Sequence, residues 1–116
     1  MKFYHYLNER GGRVKLMPID GPKQEWKSPI EAFQDAYEHE QKVTAMINNM
    51  VEIAWAEKDH ATYNMLQWFV DEQVEEESSA LEIVEKLKMI GDAPGAMYML
   101  DKEMGTRVFT PPAEGE

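Results

Sequence analysis

The sequence predicts an all-α chain, a four-helix-bundle element whose body is one antiparallel pair of long helices. Three observations predict it. Stepping by alternating threes and fours from Ile30 gives Phe33, Tyr37, Glu40, Thr44, Ile47, Val51 and Ala54, a mostly apolar seam. The same stepping from Leu66 gives Phe69, Gln73, Glu76, Ala80, Ile83, Leu87 and Ile90. A short polar turn at Glu57-Lys58-Asp59-His60 joins the two seams, so the helices are neighbours running in opposite directions. Helices of about thirty residues in a chain of 116 belong to up-down bundles.

The elements follow in order. Met1 to Arg10 reads as the end of a helix: Phe3, Tyr6 and Leu7 share a face, Arg10 suits the last turn, and Gly11-Gly12 supplies the stop. It has no N-cap before it and so reads as the tail of a longer helix. Arg13 to Leu16 is expected to run extended. Pro18, Gly21 and Pro22 then mark a polar crossover to about Lys27, docked against a helix by Trp26. Ser28-Pro29-Ile30-Glu31 is a capping box with Pro at the first helical position, opening a helix that runs to Glu57. Asp59 is the expected N-cap of the next helix, which Gly91 ends. Asp92 with Pro94 starts a shorter helix carrying Met97, Leu100 and Met104, stopped by Gly105. The expected domain is 1–104, with a flexible tail over 105–116.

Composition narrows the function. With 43% hydrophobic residues the chain suits one small domain. A formal net charge of -10 opposes nucleic acid and anionic membrane surfaces and favours cations as the counter-species. With no Cys there are no disulfides, thiolate metal sites or Cys nucleophiles, as suits a cytoplasmic protein. No window is apolar over the length of a membrane span. His5, His39 and His60 lack the spacing of a soft-metal site, since none follows a seam Glu by three or four residues. Ser28, Ser78 and Ser79 have neither a Gly-rich elbow nor an evident His partner.

The candidate site lies where the seams break. Asp71-Glu72-Gln73-Val74-Glu75-Glu76-Glu77 is an acidic run, and the period puts Gln73 and Glu76 where the helix buries apolar surface. Glu72 flanks that stripe, while Asp71, Glu75 and Glu77 point aside or outward. Glu40 interrupts the other seam, and an isolated buried carboxylate costs several kcal/mol unless paired, protonated or bound to a cation. Glu40 and Glu76 are each eighteen residues from Lys58, so they lie at one height in the hairpin, as do Thr44 and Glu72. Oxygen donors at one level of a helix pair point to a hard-cation site.

These residues resemble a known family. Tyr37-Glu38-His39-Glu40-Gln41 on one long helix, followed by Leu66-Gln67-Trp68-Phe69-Val70 and Glu72-Gln73-Val74-Glu75-Glu76-Glu77 on the next, is similar to the third and fourth helices of prokaryotic non-haem ferritins. The likeness extends to the stub at Met1 to Arg10, the crossover, and Met99-Leu100-Asp101-Lys102-Glu103 of a short fifth helix. It implies a ferritin-like fold and iron storage, with Fe(II) oxidised to Fe(III) by dioxygen, iron as the metal carried, and a homo-oligomeric shell. Glu40 and Glu76 would match the carboxylates of the second iron site. Gln73 would match the amide beside the metal pair, and Glu72, Glu75 and Glu76 a third iron site. The family's first helix and the Glu-x-x-His part of its second would lie before Met1, so a complete di-iron centre is not expected in one chain. The exposed seams are then expected to force self-association. The alternative expectation is a non-enzymatic helical hairpin that pairs with a second copy and binds metal only passively.

Overall fold

Residues 1–108 are described in the computed structural model of the chain. They form four helices, α1 (Lys2–Glu9), α2 (Pro29–Ala56), α3 (His60–Ile90) and α4 (Pro94–Met104), with no strand among the described residues. The fold class is therefore all-α, as the seams predict.

The helix ends follow from local chemistry. Ser28 sits in extended conformation before Pro29, and its hydroxyl accepts the Glu31 N–H at 3.3 Å. The reciprocal half of the capping box closes one residue early. The Glu31 carboxylate accepts the Lys27 N–H at 2.7 Å rather than that of Ser28, because the Lys23 ammonium, 3.3 Å away, draws it toward the crossover. At the far end of α2 the Asp59 N–H reaches the Ala54 carbonyl at 2.9 Å and the Lys58 N–H reaches that of Trp55 at 3.1 Å. This Schellman turn puts Lys58 at φ 56°, the left-handed region. α1 ends the same way, but with Gly11 at φ 76° in the left-handed position. Asp59 then caps α3, its carboxylate accepting the Thr62 N–H at 3.2 Å and the Thr62 hydroxyl. The cap of α4 is Ala93, not Asp92: Pro94 takes the first helical position, which leaves Asp92 outside the cap.

α2 and α3 pack along their length, and the pair buries Ile47 and Ala54 of α2 and Leu66 and Val84 of α3. α4 folds back over the open end of the pair. There Leu100 joins Ile83 and Leu87, with Ile30 and Phe33 packed alongside, and Lys86 bonds Glu103 at 2.7 Å. Each such leucine contributes about 2 kcal/mol on burial.

α1 buries none of its own residues and is held by side chains alone. Phe3 stacks on Phe69 with ring centroids 4.3 Å apart, Tyr6 hydrogen-bonds Thr62 at 2.8 Å, and Arg10 donates to Asp59 at 3.1 Å. Arg10 also donates to Tyr6 of its own last turn at 2.9 Å and thus ties the end of α1 to the α2–α3 turn. The bonds from Thr62, and then from Arg10, hold the Asp59 carboxyl below its ordinary value of 3.8. The crossover is docked by Trp26, whose indole N–H donates to Asp35 at 2.8 Å. Lys23 bonds the same carboxylate at 2.9 Å and, ahead of Trp26, holds Asp35 below its ordinary value. Of the expected tail, Gly105 follows α4 as foreseen, and 109–116 lie outside the described residues.

Candidate metal centre

The α2 and α3 seams meet at Gln73. Its side-chain amide donates at 3.2 Å to the Glu40 carboxylate, and lies at the same distance from the Glu40 carbonyl and the Thr44 hydroxyl. Thr44 in turn donates to the Glu40 carbonyl at 3.0 Å. Three acceptors surround the Gln73 nitrogen, which fixes which end of the amide faces α2. A neutral donor bonded to one carboxylate oxygen orients the group without cancelling its charge.

The sequence-derived residues are placed unevenly. Glu40, Gln73 and Glu72 are half-buried, while Glu75 and Glu76 are exposed. Among the described residues no charged side chain is buried, and no group of three or more Asp, Glu, His or Cys side chains is close enough to hold a metal. The helical period explains the uncovered Glu76. The face of α3 that meets α2 runs through Leu66, Gln73, Ala80 and Val84, and Glu76 lies about 60° away from Gln73 around the helix. It therefore opens beside the hairpin instead of between its helices. Glu77, expected outward, is half-buried because it shares the side of Gln73. His5, His39 and His60 are all exposed.

Two contributors were not legible as such. The height rule pairs Thr44 with Glu72, but it is Gln73 that reaches Thr44, since its side chain points directly across the seam. Asp35, which no local pattern marks, anchors the crossover through Lys23 and Trp26.

The geometry defines a class: a helical-bundle element holding a carboxylate and an amide in contact inside its long-helix pair, with further carboxylates on the adjoining open flank. The family model for the ferritin-like domain matches residues 1–90, and the chain belongs to the ferritin family. The bacterial non-heme ferritin of Staphylococcus aureus is 43% identical over 108 residues, covering 93% of this chain and 65% of the relative. That of Staphylococcus haemolyticus is 44% identical over the same length, with the same coverage. An open-pore ferritin from the hyperthermophilic archaeon Archaeoglobus fulgidus superimposes with a TM-score of 0.91 at 55% identity, over 92% of this chain and 66% of that one. A humanized archaeal ferritin gives 0.92 at 55% identity, over 95% and 67%. The chain thus spans 65% of the length of the curated relatives it matches.

Proposed function

We propose that the chain serves ferritin-type iron storage, taking up Fe(II) at the level of Glu40 and Glu76. The observation that carries this reading is the Gln73 amide bonded to the Glu40 carboxylate across the helix pair, in a chain of this family. Carboxylate and amide oxygens suit a hard cation and stabilise Fe(III) over Fe(II). Glu40 and Glu76 hold the cation, Gln73 orients Glu40, and Glu72 with Glu75 and Glu76 forms a second position on the flank of α3. Each Fe(II) gives up one electron, so dioxygen reduced to hydrogen peroxide consumes two Fe(II) and two protons. Two cations must therefore sit close together for oxidation to follow binding. The exposed apolar side chains Met46 and Ile53 support self-association into a homo-oligomer. No described helix is long and apolar enough to cross a membrane, and the reading places the protein in the cytoplasm.

Anaerobic calorimetric titration of Fe(II) tests the binding step. The double variant Glu40→Ala, Glu76→Ala is expected to lose at least tenfold in affinity while keeping its helical circular dichroism, and equal affinity refutes the assignment. Aerobic loading of the chain against Glu76→Ala tests oxidation, read as growth of ferric absorbance above that of buffer.

A further inference from the structure

Thr44 stands on the α2 seam between Glu40 and Ile47, where the helix period asks for an apolar side chain. It is half-buried, and its hydroxyl does nothing for α2 itself. A β-branched residue lowers helix propensity, and a hydroxyl bonded back to the carbonyl one turn earlier competes with the helix ladder. Val has the same shape and would fill the seam as well, so packing does not account for the oxygen.

The hydrogen bonds account for it. Thr44 gives its one hydroxyl proton to the Glu40 carbonyl at 3.0 Å, so toward Gln73 its oxygen can only accept. The Gln73 nitrogen, the Thr44 oxygen and that carbonyl form a triangle with sides of 3.2, 3.2 and 3.0 Å. Seen from the nitrogen, the two oxygens are thus closer in angle than the corners of an equilateral triangle. The two N–H bonds of a planar amide diverge about twice as widely. One N–H is therefore shared between Thr44 and the carbonyl, and the other is left for the Glu40 carboxylate, also at 3.2 Å. We infer that Thr44 is a positioning residue: it holds one edge of the Gln73 amide so that the second N–H is aimed at the Glu40 carboxylate. For its effect on iron the inference rests on the reading that Glu40 holds Fe(II). Thr44 touches no cation and acts only through Gln73.

The test uses Thr44→Val, which removes the oxygen and keeps the shape, and Thr44→Ser, which restores it. In EDTA, hydrogen exchange of the Gln73 side-chain amide, followed by NMR, is expected to quicken about fivefold in Thr44→Val, the worth of one neutral hydrogen bond. It is expected to return to that of the parent chain in Thr44→Ser, with helical circular dichroism unchanged in both. In anaerobic calorimetric titration Thr44→Val is expected to weaken Fe(II) binding by a similar factor, and Thr44→Ser to restore it. On a Gln73→Leu background the Thr44→Val substitution is expected to change nothing, because the route is gone. Unchanged exchange in Thr44→Val overturns the inference whatever iron does. So does an Fe(II) loss that persists in full beside Gln73→Leu, or quickened exchange with unchanged Fe(II) affinity in a chain whose binding does depend on Glu40 and Glu76. Equal affinity in the parent chain and the Glu40→Ala, Glu76→Ala double variant, with exchange quickened as expected, instead fails the iron-binding reading and leaves Thr44 as the residue that aims Gln73.

Discussion

Replacing Gln73 by Glu turns the central donor of the helix pair into a second acceptor, and the cost follows from the contacts. The amide bond to the Glu40 carboxylate at 3.2 Å is a hydrogen bond to a charged group, worth about 1.5 kcal/mol. Two carboxylates about 4 Å apart repel by roughly 4 kcal/mol at an effective dielectric of 20, and about half of that at this half-exposed position. Gln73→Glu is therefore expected to lose about 3 to 4 kcal/mol at pH 7 without metal. The like-charge part depends on ionisation. The introduced carboxyl has a folded pKa raised above its unfolded value of about 4.3, so its penalty is absent below pH 4. Stability then falls as pH rises through the folded value, about 1.5 pH units higher for 2 kcal/mol. Urea unfolding of both proteins followed by circular dichroism at pH 4, 5, 6, 7 and 8 in EDTA measures the difference. Anaerobic Fe(II) at a hundred times its dissociation constant is expected to return about 2.7 kcal/mol. A deficit that stays flat from pH 4 to 8, or one below 0.5 kcal/mol at pH 7, would show that Gln73 does not face Glu40 in solution.

The remaining predictions concern the scaffold. Lys58→Gly relieves the left-handed backbone at φ 56° where α1 already uses Gly11, and is expected to stabilise the chain by about 1 kcal/mol, read as a higher urea midpoint. Leu66 is 1% exposed, and Leu66→Ala is expected to cost about 3 kcal/mol by the same measurement. Asp59 keeps its contribution above pH 3.8 and loses it as pH falls through its lowered folded value. The stability gap between the chain and Asp59→Asn is therefore expected to close in that acid range, and a gap unchanged down to pH 2 would contradict the Thr62 and Arg10 contacts.

Most of the fold was legible because each long helix is marked at several levels at once. Ser28 and Pro29 open α2, Asp59 opens α3, Gly91 ends it, and the seam period runs unbroken between. Where the reading missed, a tertiary contact competed with a local rule. Lys23 and Asp35, eight or more residues apart from their partners in the crossover motif, decide where the Glu31 carboxylate goes and what Trp26 bonds. Lys58 stands where turn chemistry favours Gly, so the Schellman turn was visible only as a polar break.

The candidate site was legible in a different sense, as a set of wrong-polarity residues at one height, and height is only one of the two coordinates that place a side chain. Counting from Lys58 brings Glu40 level with Glu76, but rotation about the helix decides whether they face one another. Gln73, about 60° from Glu76 on α3, faces α2 and takes the contact with Glu40, and this leaves Glu76 on the open flank with Glu72. Glu75 and Glu76 of α3 are thus presented outward from the hairpin, whereas Glu40 is half-buried against Gln73. A cation bound by both must lie at the edge of the α2–α3 seam, where Glu40 is steered by a neutral amide and Glu76 is free to swing toward it. On the proposed iron-binding reading, Gln73→Leu is expected to weaken Fe(II) binding less than Glu76→Ala does, since the first would remove the steering of a proposed ligand and the second a proposed ligand itself. Calorimetric titration of the two variants decides the order, and the reverse ranking would mean that the cation sits inside the seam.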